Sequence, residues 1–372
     1  MDNLEKLCKI DITLDNPVQS SAGYDCLLLV GDAPATPKDG ATVYPVGIYT
    51  NLDEVASVGW ITEGENAEPI GRAARIAFSQ SPRPNQIYIA VRQQVAVDGE
   101  AAETTAEPIA DTLARAQETP GWYVICPAGV DETLYKTIAE WTESRKYVFL
   151  FTTMNTTNSV GNLFYRSMGF FGKPVENAAA DDIPEDNKYT HVAVAAKCLC
   201  YDAGSETWAN KVINGITPSV LSGTTINTLT TNNLSYIIKV GGKIITQGGK
   251  TSAGEWVDLI RFRDWLQNDM AQRVCDLLIR NPKIPYTDSG ITAVENQMVA
   301  SLKEGQVRGG IAETEYDEMD QPIPGYKTAM PLASSLTASQ RASRTLKDCK
   351  FTARIAGAIH MVEITGSLTY SF

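Results

Sequence analysis

Histidine, net positive charge and long apolar runs are all scarce in this chain, and each shortage removes a class of function. Only two of the 372 residues are histidines, His191 and His360. No apolar stretch approaches the ~20 residues that span a bilayer, which excludes a membrane-inserted helix. Lysine and arginine number 32 against 44 acidic residues, a net charge of -12. Nucleic-acid binding needs clustered cations to meet phosphates, so this balance argues against it. The start, Met1-Asp2-Asn3-Leu4-Glu5, is acidic and lacks the basic lead and apolar core of a signal peptide. The expectation is a protein that is cytoplasmic when made. The seven cysteines are odd in number and scattered through apolar patterns. Without a secretory signal, buried thiols rather than a disulfide framework are expected.

What is present is ordinary for soluble globular protein: 43% hydrophobic and 20% charged residues. The length exceeds one usual core, so two or three domains are expected. Charge is uneven. Residues 98–143 hold ten acids and two basic residues, Arg115 and Lys136. Residues 337–360 hold five basic residues (Arg341, Arg344, Lys347, Lys350 and Arg354) and one acid, Asp348. That basic set suits either an acidic partner or an ordinary solvated surface.

The termini carry the clearest periodicity. Cys8, Ile10, Ile12 and Leu14 alternate with polar residues, as do Val362, Ile364, Gly366, Leu368 and Tyr370 near the other end. Strict alternation marks half-buried strands, because successive side chains point to opposite faces. Two readings stay open: edge strands of the protein's own sheet, or strands lent to neighbouring subunits by β-augmentation.

Between the ends, strands are expected at 25–31, 86–92, 122–126 and 147–152, with helices near 52–58, 66–78, up to about 117, and 132–144. This β-α-β rhythm predicts right-handed crossovers and an α/β fold. Residues 178–188 read as an exposed acidic loop, and 191–200 as either a strand or a buried helix. Residues 258–280 place Leu259, Phe262, Leu266, Met270, Val274 and Leu277 at helical spacing, ~35 Å of helix at ~1.5 Å per residue. A proline elbow at 281–285 ends it, and Asp288 or Ser289 is expected to cap the next helix.

Motifs for chemistry are weak. Gly248-Gly249-Lys250-Thr251 resembles the close of a phosphate-binding loop, but Ile244 stands where that loop needs a glycine. The alternative is a glycine-rich turn. His191 with Cys198 and Cys200 has too few ligands at finger spacing for a zinc site, and core packing is the simpler reading. No Gly-x-Ser-x-Gly elbow occurs, and no carboxylate pair is singled out by its surroundings. Asn155 and Asn233 match the glycosylation pattern, which a chain without a secretory signal does not use.

The last 163 residues carry a resemblance. Asn210-Lys211-Val212-Ile213-Asn214-Gly215-Ile216-Thr217-Pro218, the glycine-rich 241–254 and the segment 254–266 fall in an order similar to that of contractile tail sheath proteins. Pro285-Tyr286-Thr287-Asp288-Ser289-Gly290-Ile291 resembles that family's "P-Y-T-D-x-G-I" junction, its most specific piece, and the alternating C-terminal strand follows.

The resemblance implies a multi-domain α/β (α+β mixed) protein with a C-terminal core of sheet plus long helices and β-strand arms at both termini. Its divisions would be an arm at 1–20, a variable outer region at 21–209, the sheath core at 210–354 and a second arm at 355–372. It implies a structural subunit, not an enzyme and without cofactor or metal. Such subunits stack as hexameric rings around an inner tube and contract to drive it through an envelope. The implied partners are further copies, the tube protein, the baseplate and the tail terminator, in a virion tail or tail-like particle assembled in the host cytoplasm. Cys8, Ile10, Ile12, Leu14, Val362, Ile364, Leu368 and Tyr370 would bury against a neighbour's sheet. Arg341, Arg344, Lys347, Lys350 and Arg354 would touch the tube or an adjacent subunit. The competing readings are another phage-tail structural component, or a phosphate-handling enzyme built around Gly248–Thr251.

Overall fold

A computed structural model describes residues 24–38, 41–96 and 104–366. In chain order the strands and helices are β1 (Leu27–Gly31), β2 (Gly47–Tyr49), α1 (Leu52–Val58), α2 (Pro69–Phe78), β3 (Ile87–Val91), β4 (Gln94–Ala96), β5 (Thr104–Ala106) and α3 (Ile109–Gln117). Next come β6 (Val124–Ala128), α4 (Tyr135–Glu143), β7 (Val148–Thr153), β8 (Ser167–Phe171), α5 (Thr190–Cys198), α6 (Gly223–Thr231), β9 (Leu234–Val240) and β10 (Lys243–Gln247). The last third holds α7 (Val257–Arg280), α8 (Asp288–Val307), β11 (Glu315–Tyr316), β12 (Pro322–Ile323), β13 (Tyr326–Ala329), α9 (Ala338–Ala342) and β14 (Lys350–Ala353).

Eight strands form one sheet in the order β10-β9-β8-β7-β6-β1-β3-β2. The six central strands run parallel, and β2 and β10 are antiparallel at the two edges. Parallel sheets are covered on both faces, and their strands read as continuous apolar runs. Leu27-Leu28-Leu29-Val30 is fully buried for that reason. Leu27 and Leu29 pack in the core shared with α2, α5 and α7, whereas Leu28 and Val30 face α3 and α4. The α/β class expected from the β-α-β rhythm is the one observed.

The sheet crosses the division expected near residue 209. β9 and β10 continue the sheet begun at β1, through the β8–β9 pairing of Gly169 with Leu234. Gly241 and Gly242, both at positive φ (56° and 81°), make the tight turn that joins β9 to β10.

Local expectations are resolved or changed. Of the two readings of 191–200 the buried helix is the one found: α5 spans Thr190–Cys198 with all nine residues buried, which leaves no amphipathic period to read. The cap of α8 is Thr287, whose hydroxyl accepts the Gly290 N–H, not Asp288 or Ser289. Asp288 instead accepts the Ala333 N–H at 2.8 Å. The acidic 178–188 stretch is only partly an exposed loop. It holds two 3₁₀ turns, buries Asn187, and pairs Asp186 with Arg72 and Arg75 at 3.1 and 2.7 Å.

Candidate interaction surface

The C-terminal third is built on α7. Its N-terminal half lies on the sheet and buries Val257, Ile260, Phe262 and Leu266, with Met270 buried just beyond. The same half buries charge. Arg166, immediately before β8, makes a bidentate pair with Asp264 at 2.6 and 2.9 Å, and Tyr123 donates its hydroxyl to the same carboxylate at 2.9 Å. Burial pushes the Asp264 carboxyl up, but the Arg166 charge and hydrogen bonds outweigh it, and its pKa falls below the usual range. Arg261 pairs with Glu206 and donates to the Tyr24 and Tyr201 carbonyls. These contacts fix the direction in which α7 leaves the sheet.

Beyond the sheet, the last turn of α7 is half-buried at Leu277 and Leu278 and exposed at Ile279 and Arg280, and α8 packs back along the helix. Gly290 makes the tight entry into α8 possible, since a Cβ there would stand 2.0 Å from the Pro285 carbonyl oxygen. On α8 rests a separate two-stranded sheet of β13 and β14, with Thr328 donating to Glu295 at 2.6 Å. Neither strand has a second strand partner among the described residues, so each keeps one edge of unpaired backbone. A short hairpin of β11 and β12 precedes it, tied by Arg354 to Glu315 at 2.9 Å.

The chain after β14 stays on the body for only a few residues. Ile355 bridges Ile311, and the Ala356 N–H donates to the Gly310 carbonyl at 3.2 Å. At His360, Nε2 hydrogen-bonds Thr207 Oγ1 at 2.8 Å, and the carbonyl accepts from Asn210 Nδ2 at 3.2 Å. Residues 361–366 lie in no regular element, with Val362 69% and Ile364 89% exposed. Cys8, Ile10, Ile12, Leu14, Leu368 and Tyr370 fall outside the described residues. Within the basic set, Arg341, Arg344, Lys347 and Lys350 are exposed near α9 and β14. Arg341 donates to the Ala333 carbonyl at 2.6 Å, and Arg354 is committed to Glu315.

The glycine-rich loop is a structural turn. Gly248 and Gly249 sit at φ 104° and 108°, where glycine is favoured. The Gly249 N–H donates to Ser235 Oγ and the Thr251 N–H to the Glu255 carbonyl. The Thr251 and Ser252 side chains are fully buried, out of reach of a phosphate or magnesium ion. His191 is engaged at both ring nitrogens, Nδ1 with Thr152 at 2.8 Å and Nε2 with the Pro127 carbonyl at 3.0 Å. Burial pushes its pKa down to about 3, so it is a neutral core residue. A polar cavity of about 390 Å³ lies where the described chain begins, lined by Tyr24, Cys26, Arg83, Cys200, Asp202 and Arg308 among others. Burial pushes the Cys26 thiol up to about 12. No helix among the described residues is long and apolar enough to cross a membrane.

Sequence reasoning missed the β13–β14 sheet and its open edges. Each strand is only four residues long, Tyr326–Ala329 and Lys350–Ala353, too short a run for its alternation to stand out in the sequence.

Residues 257–368 match the family described as E217 tail sheath protein gp31-like, C-terminal domain. No curated protein matches the chain in sequence. Among solved structures, the fold is similar to a chain of the anti-feeding prophage baseplate, with TM-score 0.68, 14% identity, and 97% of this chain and 98% of that chain covered. It is similar to the anti-feeding prophage helical sheath in the contracted state at TM-score 0.67 and 13% identity, covering 96% and 98%. It is also similar to the contracted PVC sheath complex of an extracellular contractile injection system at TM-score 0.65 and 11% identity, covering 97% and 96%. The segment from α7 to the C-terminal tail thus matches a tail sheath C-terminal domain in sequence, and the chain as a whole has the fold seen in contractile sheath assemblies.

Proposed function

We propose that this chain is a structural subunit of a contractile tail sheath. The observation that carries the reading is the likeness over 96% of its length to a subunit of a contracted helical sheath. In this reading, subunits stack as hexameric rings around an inner tube and contract to drive that tube through an envelope. The partners are further copies of the chain, the tube protein, the baseplate and the tail terminator. The particle is a virion tail or a tail-like relative assembled in the host cytoplasm.

The physical basis is strand exchange. The β13–β14 sheet offers unpaired backbone, and the tail offers exposed apolar residues, Met361, Val362 and Ile364. Each lacks what the other supplies, and β-augmentation joins them between subunits. Arms at 1–20 and 355–372 carry the links, so Cys8, Ile10, Ile12, Leu14, Leu368 and Tyr370 bury against a neighbour. The outer region at 21–209 faces away from the tube, and the core at 210–354 faces it. Arg341, Arg344, Lys347, Lys350 and Arg354 meet the tube or an adjacent subunit. Head-to-tail contacts that do not close on themselves build filaments, which suits rings joined one to the next along a sheath. Contraction is a switch between two packings of folded subunits, and neither a nucleotide nor a catalytic residue is needed.

The test is negative-stain electron microscopy of the purified protein at high concentration, alone and co-expressed with a candidate tube protein. Hollow striated tubes support the reading. Dispersed particles under both conditions refute it.

A further inference from the structure

Two segments that the sheath reading leaves without a role meet at one place: the glycine-rich 248–252 loop and the second histidine. The loop ends in an isolated bridge between Lys250 and Trp256, which holds the indole against the body at the start of α7. Lys250 Nζ lies 5.3 Å from the centre of that ring. The His360 ring meets the same indole edge-on, with centroids 4.6 Å apart and planes at 78°. Its Nε2 bonds Thr207 Oγ1 at 2.8 Å, and its carbonyl accepts from Asn210. Asn210 itself sits at φ 59°, and its side-chain oxygen accepts from Gln247 at 2.9 Å. A non-glycine residue at positive φ is uncommon, and here it aims the amide at the tail.

His360 is therefore held by three side chains from two separate stretches, 207–210 and 256. On either side of it the chain is exposed, Ile359 at 84% and Met361 at 74%. A single gripped residue between two exposed ones marks the point where the tail leaves the body.

We propose that Trp256, Thr207 and Asn210 form a clamp on His360 that fixes the take-off of the C-terminal arm, so that the segment lent to a neighbour begins at Met361. This rests on the sheath reading for what the arm does, but not for where it is anchored. His360 acts as a positioning residue. A fixed take-off sets the register in which Val362 and Ile364 reach a second copy, since a slip of one residue turns every side chain to the other face. The glycine-rich loop then serves to present Trp256.

The test is hydrogen exchange of the full-length protein before assembly, followed by microscopy of assembled material. His360→Ala is expected to speed exchange over 355–360 by about tenfold, the scale of losing one ring contact and one hydrogen bond. Exchange in β6 should not change. His360→Gln, which keeps a partner for Thr207, should recover much of the protection, and Thr207→Val should mimic the alanine variant without touching the tail. The alanine variant should also assemble into irregular tubes or none. Unchanged exchange over 355–360 would overturn the clamp, and so would accelerated exchange with wild-type tubes. If the wild type forms no tubes with its tube partner, the sheath reading fails while the exchange result still decides the clamp.

Discussion

Replacing Asp264 with alanine perturbs the buried pair that fixes α7 on the sheet. The Asp264 and Arg166 side chains are 1% and 2% exposed, and the carboxylate accepts two hydrogen bonds from Arg166, one from Tyr123 and a longer one from Arg263 at 3.4 Å. Without it, Arg166 keeps only the Tyr147 carbonyl at 3.3 Å, and the guanidinium stays charged in the core. Removing one partner of a buried pair costs about 3–5 kcal/mol, a large share of a typical total of about 5–15 kcal/mol. The Arg166→Met, Asp264→Leu double variant removes both charges and should cost clearly less than Asp264→Ala, even with the Tyr123 hydroxyl left unpaired at about 1–3 kcal/mol. Urea unfolding followed by tryptophan fluorescence measures both. A single-variant cost below about 1 kcal/mol, or a double variant as unstable as the single, would refute the reasoning. The sign with pH follows from the depressed carboxyl. The unfolded state binds more protons at acid pH, so this stability is full above the unfolded pKa of about 4 and is lost as pH falls through the folded value.

His191, with its pKa pushed down to about 3, opposes folding as its unfolded form gains a proton below about 6.5. Stability should fall by up to about 1.4 kcal/mol per pH unit between those values, and His191→Gln should flatten that slope in urea titrations. Asp258 is pushed the other way, to about 6, by burial and then by the Glu206 charge. Its folded form holds a proton that the unfolded form has lost, so it contributes stability below pH ~4 that disappears as pH rises through 6. Asp258→Asn should therefore be more stable than wild type at pH 7.5 by about 1–3 kcal/mol and should lose that advantage near pH 4. Deleting residues 359–372 should leave a folded, soluble monomer by circular dichroism and sedimentation that forms no tubes, and wild-type-like tubes from it would refute the lent arm. Lys250→Ala should leave no measurable loss of nucleotide binding in calorimetry, because Thr251 and Ser252 are buried in a turn.

Elements that bury apolar residues in a single local pattern were legible. β1 and β7 read as strands because a central parallel strand is apolar throughout, β3 read as a strand from an alternation that its full burial does not follow, and α7 read as a helix from the spacing of Phe262, Leu266 and Met270. β8 was not legible. Gly169 lies at its centre, where a Cβ would meet the Phe151 ring at 2.7 Å, and a strand broken by glycine gives little signal. The β9–β10 hairpin carried a Gly-Gly turn between apolar runs that was read only as part of a glycine-rich stretch. Length was the clue to α5, since nine residues exceed a usual buried strand. The contacts that organise the candidate surface were out of reach. Arg166 and Asp264 are 98 residues apart, and Thr207 and His360 are 153 apart. Nothing local in either segment encodes its partner.

Strand exchange between subunits is tested most directly by a cryo-EM reconstruction of the assembled tubes in which residues 355–372 are traced. The chain is expected to leave its own body at His360, with residues 362–370 running as a strand along an open edge of β13 or β14 in a different subunit. A tail that folds back onto its own β13–β14 sheet, with no strand crossing between subunits, would contradict it.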